Sequence, residues 1–298
     1  MKNRTDFKTG FTLIELITVI LIIGLLSVLS VGAYIGAKRM FAGLTVKQEL
    51  DNIARALEQY KTTYGEYPPD AWASDQEVQR HILRRWPDVL KSGAVPAYLT
   101  YYTANIASKP ESVLLFWLCG PYRPSEDARN GFSLNKSDPF DLAAANNASG
   151  NYEPPMLPLT YDLKADERHH GNCNQEALIY KDVPIVYFKA TANKLGLGAY
   201  ADLKADAAGV KIKSRNAGTY GIAVPYAMYK NGTVFSWYNT DGYQLITAGE
   251  DNNFGKTDLP RNLSDPSTYS LEDSDNVTNF CEGTTLQTEY SKYESKNK

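Results

Sequence analysis

The chain has 298 residues, 43% of them hydrophobic and 22% charged, with a mean hydropathy of −0.39 and a formal net charge of −3. These averages exclude a polytopic membrane protein, a disordered polyelectrolyte and a collagen-like repeat, and the near-neutral balance offers no broad basic field for nucleic acid. The length suits one large domain or two small ones, which leaves the uneven spread of hydrophobicity as the first informative feature.

That unevenness sits at the start. From Phe11 to Ile35, 18 of 25 residues are apolar and Glu15 is the single charge. As a helix, this stretch would reach roughly 37 Å against a hydrocarbon core of about 30 Å. A secretory signal peptide would account for Lys2, Arg4 and Lys8 and for the small residues Val31-Gly32-Ala33, but the run is too long for an h-region and contains a carboxylate. A plain single-pass anchor fits the length and leaves Glu15 unexplained, since an acidic residue near a membrane helix centre costs about 2.5–3.5 kcal/mol.

Gly10-Phe11-Thr12-Leu13-Ile14-Glu15, behind a short basic leader, strongly resembles the processing site of type IV prepilins and type II secretion pseudopilins. The resemblance implies cleavage between Gly10 and Phe11 by a prepilin peptidase, which also methylates the new amino terminus. Glu15 then becomes the fifth residue of the mature chain. At i, i+4 spacing it stands one turn from Phe11. In the family's assembly model, the carboxylate of an incoming subunit meets the terminal ammonium of its neighbour. The same resemblance places the leader in the cytoplasm and the rest of the chain in the periplasm or outside the cell. The positive-inside signal alone is small, because Lys38 and Arg39 flank the far end.

Beyond the apolar run, Leu50, Ile53, Ala54, Leu57, Tyr60 and Tyr64 form one stripe at helical spacing, with Lys47, Glu49, Asp51, Arg55 and Glu58 on the other faces. Gly65 and Pro68-Pro69 stop the pattern. The chain therefore divides into a leader (1–10), an N-terminal helix (11–64, membrane-spanning over about 11–35), a head (65–283) and a polar tail (284–298). In the head, Ser112–Leu118 and Pro184–Ala190 read as strands. Tyr220–Lys230 and Thr233–Asn239 flank the hairpin turn Asn231-Gly232, and Tyr243–Thr247 completes a three-stranded meander. The expected fold is α+β and pilin-like: a long N-terminal helix, membrane-spanning in its first half, packed on an antiparallel β-sheet head.

The stretch from Asp241 to Glu282 holds nine acidic and two basic residues, so carboxylates are concentrated there and repel unless neutralised. Thr247-Ala248-Gly249-Glu250-Asp251 to Gly255, followed by Asp273-Ser274-Asp275-Asn276-Val277-Thr278-Asn279-Phe280, is similar to the C-terminal region of the major type II secretion pseudopilin. That resemblance implies a calcium ion held by Asp251, Asp273 and Asp275, with Asn253 and Asp258 in reserve. The spacing departs from the family pattern in the longer insertion Lys256–Ser270, and it fails the EF-hand template. Gly249–Thr257 imitates a P-loop, but five residues separate its glycines where four are required.

Three cysteines, Cys119, Cys173 and Cys281, allow at most one internal disulfide. His169, His170 and Cys173 form a local cluster that lacks a fourth zinc ligand. No nucleophile elbow, zincin helix or spaced catalytic cysteine and histidine occurs, and no enzyme is expected. The expected function is a structural subunit of a type II secretion pseudopilus or type IV pilus-like fibre. Its implied partners are the prepilin peptidase and methylase, other pilin or pseudopilin subunits and the inner-membrane assembly platform. Its implied location is the inner membrane, single-pass, and then the fibre. The alternative is a membrane-anchored periplasmic binding or enzymatic domain whose N-terminus only imitates the motif.

Overall fold

A computed structural model describes residues 13–107, 110–121, 131–141, 151–157, 163–166, 177–180, 183–192, 198–200, 210–213, 219–230, 233–249, 251–256, 273–281, 285, 286, 288 and 291. The chain separates into two compact units, residues 1–44 and 45–298. Helix α1 is Leu13–Tyr64 and enters both.

In the first unit, Leu13, Ile14, Leu16, Ile17, Ile20–Ile23, Leu25 and Leu26 are exposed. The hydroxyls of Thr18, Ser27 and Ser30 donate to the carbonyls of Ile14, Ile23 and Leu26, four residues back, at 2.7–2.8 Å. Each is therefore satisfied within the helix and makes no demand on a neighbour. The expected membrane-spanning first half is corrected here: among the described residues no helix is long and apolar enough to cross a membrane.

In the second unit, the stripe Leu50, Ile53, Leu57 and Tyr60 of α1 is fully buried. Gly65, at φ +82°, ends the helix with its N–H on the Lys61 carbonyl. A helical layer follows: α2 (Asp75–Arg85), α3 (Val89–Ser92), α4 (Val95–Tyr102), a π-helical turn (Thr103–Ala107) and α5 (Pro110–Cys119). Ser74 and Glu77 close a reciprocal capping box at the start of α2. The segment expected as the strand Ser112–Leu118 is instead most of α5. Val113–Leu118 are all at most 2% exposed, and a run buried on every side carries no period to distinguish helix from strand.

The strands are β1 (Leu163–Asp166), β2 (Ala177–Tyr180), β3 (Val183–Ala192), β4 (Gly198–Tyr200), β5 (Val210–Lys213), β6 (Thr219–Ala223), β7 (Ala227–Lys230), β8 (Thr233–Trp237), β9 (Tyr243–Thr247) and β10 (Val277–Thr278). The main sheet runs β1-β2-β3-β9-β10, with β4 also on β3, and every pairing is antiparallel. Pairs β5-β6 and β7-β8 stand apart from it. The expected meander is thus corrected: β9 leaves its sequence neighbour β8 and lies between β3 and β10. The expected strand Tyr220–Lys230 divides around Pro225, which cannot donate to a ladder. The fold is a helical layer with a small antiparallel sheet, which replaces the expected pilin-like arrangement of one long helix on a sheet.

Alternation along the two central strands builds two cores. Ile185, Tyr187, Tyr243 and Leu245 face the helices, while Val186, Phe188 and Ile246 face a second cluster with Tyr226, Phe254, Cys281 and Leu286. Gln244, fully buried on that second face, holds the backbone of the β7-β8 arm. Its amide donates to the Tyr226 and Tyr238 carbonyls, and its oxygen accepts from the Tyr226 N–H.

Candidate functional site

Glu15 lies in the first turn of α1, exposed on an apolar surface. Gly10 and Phe11, the cleavage pair, lie outside the described residues, as do Asp258, His169, His170, Cys173 and the turn Asn231-Gly232. Cys119 is buried with its thiol toward the Leu157 carbonyl, and Cys281 is buried in the second core.

The acidic loop after β9 is packed closely against the segment that leads into β10. A Cβ on Gly249 would meet the Asp275 carboxyl carbon at 2.3 Å, and one on Gly255 would meet Asp273 Oδ1 at 2.0 Å. Only glycine leaves room for these two carboxylates. The Asp251 N–H donates to Asp275 Oδ2 at 3.1 Å, and Asp251 Oδ1 accepts from the Asn253 N–H at 2.8 Å. Asn253 Oδ1 in turn accepts from the Gly255 N–H. Asp273 is fully buried, Asp275 half-buried and Asp251 exposed. The structure therefore brings Asp273 and Asp275 against the loop's backbone, with Asp251 beside them as a turn-former. Among the described residues no group of three or more His, Cys, Asp or Glu is gathered to hold a metal ion.

The returning segment is fastened by residues that the motif reading left unassigned. Asn276 Nδ2 donates to the Tyr226 hydroxyl and the Phe254 carbonyl, and Asn279 Oδ1 accepts from the Leu245 N–H. Lys47, from the second-unit part of α1, donates to the Thr278 and Asn279 carbonyls at 3.3 and 2.9 Å. Nearby, an open groove of about 410 Å³ is lined by Glu58, Tyr67, Asn239, Asp241, Tyr243 and Asn279 among others. Its carboxylates suit a cationic or hydrogen-bonding group better than an anion.

A second polar constellation lies where α1, α2 and the 151–157 segment meet. His81 Nδ1 is 2.9 Å from Glu66 Oε1, and its Nε2 is 2.7 Å from the Tyr60 hydroxyl. Arg85 donates to Tyr60 at 3.1 Å and to Glu153 at 3.0 Å. Its guanidinium lies 4.0–4.3 Å from the ring centres of Tyr64, Trp86 and Phe132, a set of cation–π contacts. Burial pushes His81 down to about 4, while the hydrogen bond from His81 holds Glu66 down at about 2. Neutral His81 thus donates from Nδ1 to Glu66 and accepts the Tyr60 proton at Nε2. Asp70, buried between the Trp72 and Lys189 N–H groups, is pushed up by burial to about 6. Sequence reading missed the constellation because its members are 15, 21 and 68 residues apart; the only local signal was a lone histidine on an amphipathic helix.

No family model, no curated protein and no solved structure matches this chain.

Proposed function

We propose that the protein is a processed structural subunit of a type II secretion pseudopilus or type IV pilus-like fibre, assembled through its N-terminal helix. The single observation that carries this reading is the Gly10-Phe11…Glu15 motif entering directly into a helix whose apolar side chains are exposed from Leu13 to Leu26. Surface of that extent needs a cover, because soluble monomers rarely expose a contiguous apolar patch of more than a few hundred Å². The subunit resides at the inner membrane before assembly, with its head, residues 65–283, in the periplasm or outside the cell. Its partners are the peptidase, the assembly platform and other subunits. Mass spectrometry of the mature chain tests the reading: it gives a chain beginning at N-methylated Phe11, and an intact Met1 defeats it in favour of an anchored binding or enzymatic domain.

The proposal includes calcium at the loop 249–255. What supports it is the pair of glycine cradles for the Asp273 and Asp275 carboxylates, next to backbone carbonyls of the kind calcium uses to complete six to eight oxygens. Addition of calcium to the full chain raises its melting temperature. An unchanged melting temperature together with no heat in a calorimetric titration removes calcium from the account.

A further inference from the structure

We propose that the Glu66–His81–Tyr60 chain is an acid-operated latch, which holds α2 to the last turns of α1 at neutral pH and releases it when His81 takes up a second ring proton. The proposal stands on the direction of the hydrogen bonds. Nε2 of His81 must be bare to accept from the Tyr60 hydroxyl, and the Tyr60 oxygen already accepts from Arg85. A proton on Nε2 would turn two donors toward one phenol, whose own hydrogen would then lose its acceptor. His81 is 1% exposed and Tyr60 fully buried, so water does not repair the mismatch.

The groups facing His81 from each packed element are few. From α1 come Tyr60 and, beyond it, Tyr64; from the segment after α1 comes Glu66; from α2 itself come Arg80, Arg84 and Arg85; from β3 comes Lys189. Trp117 of α5 presents its ring edge-to-face at 4.9 Å, and Glu153 lies behind Arg85. Glu66 favours the proton, whereas burial, Lys189 and Arg85 oppose it, and burial is the largest effect. Because the folded value, about 4, is below the ordinary 6.5, the stabilisation is complete above pH 6.5 and is lost as the pH falls through about 4. Glu66 stays ionised throughout that window. Asp70 acts in the opposite sense: its raised value makes its contribution greatest at low pH and removes it as the pH rises through about 6. Global stability therefore mixes the two, and a local readout is needed.

Hydrogen exchange on the full chain in detergent, at pH 7.5 and 3.5 and corrected for intrinsic rates, provides it. The expected result is a loss of protection in α2 of about tenfold or more, with β3 and β9 changed by less than about twofold. The midpoint should coincide with the His81 titration followed by NMR. In His81→Gln, whose amide can donate to Glu66 and accept from Tyr60 without titrating, α2 protection should be the same at both pH values. If that variant does not fold, coincidence of the two midpoints in the parent chain decides the question. Unchanged α2 protection, loss of α2 together with β3 and β9 in one step, or a midpoint apart from that of His81 overturns the latch.

Discussion

Gly131→Ala destabilises the second unit by about 4 kcal/mol or more, at the upper end of what single substitutions do. Gly131 has φ +93°, and a Cβ there would lie 1.7 Å from the Glu153 carbonyl oxygen, a backbone atom that cannot swing aside. The site is a crossing point. The Gly131 N–H donates to the Cys119 carbonyl at the end of α5, Glu153 N–H donates to Phe132 O, and Met156 N–H donates to Leu118 O. Moving Glu153 also disturbs its ion pair with Arg85, whose side chain is 3% exposed, and a buried charge that loses its partner costs several kcal/mol. Gly93→Ala separates the causes. Its φ of +69° imposes the left-handed strain, but nothing lies within 4 Å of the added methyl, so it costs about 1 kcal/mol. Denaturant unfolding of both variants measures the difference, and equal losses would show that the close approach at Gly131 contributes nothing.

The stripe Leu50, Ile53, Leu57, Tyr60 and the stop at Gly65 could be read because one face of a helix meets the core and the other meets water. The strand over Pro184–Ala190 and the short strand Tyr243–Thr247 were readable from composition and turn residues, but their partnership was not. Nothing in a sequence says that Ile185–Lys189 will pair with Tyr243–Thr247 rather than leave β9 beside β8. Ser112–Leu118 misled because all its side chains are buried, which erases the period. Helix α2 carried a usable signal in Ser74-x-x-Glu77 followed by Val78 and Ile82, with Pro87 beyond its end.

The candidate site divides similarly. Gly249, Gly255, Asp273 and Asp275 were legible as a motif, and the structure gives the glycines a steric reason. Lys47, Gln244, Asn276 and Asn279, which secure the segments around that loop, were not, because each contacts backbone far away in sequence. The His81 constellation was illegible for the same reason.

Glu15→Ala should abolish assembly while leaving cleavage largely intact. Glu15 lies on an apolar surface: Leu13, Ile14 and Leu16 around it are 77%, 73% and 59% exposed. In the proposed fibre, neighbouring subunits would cover that surface and draw Glu15 into a medium of low dielectric, where an unpaired carboxylate is several kcal/mol less stable than a paired one. On the proposed function, the partner would be the ammonium of a neighbour's Phe11, freed by processing. Alanine removes the carboxylate and leaves that ammonium without its counter-ion, and the loss recurs at every subunit added. An effect of about 3 kcal/mol per contact corresponds to more than a hundredfold at each addition step. In the proposed reading the peptidase acts at Gly10-Phe11, four residues before Glu15 in sequence, and would retain its own contacts.

The most direct measurement pairs the two readouts in one strain: the mass of the mature chain and the amount of fibre or secretion output, in the parent and in Glu15→Ala. The account predicts an N-methylated chain beginning at residue 11 in both and loss of fibre or output in the variant alone. A processed Glu15→Ala chain that assembles and functions normally would contradict it.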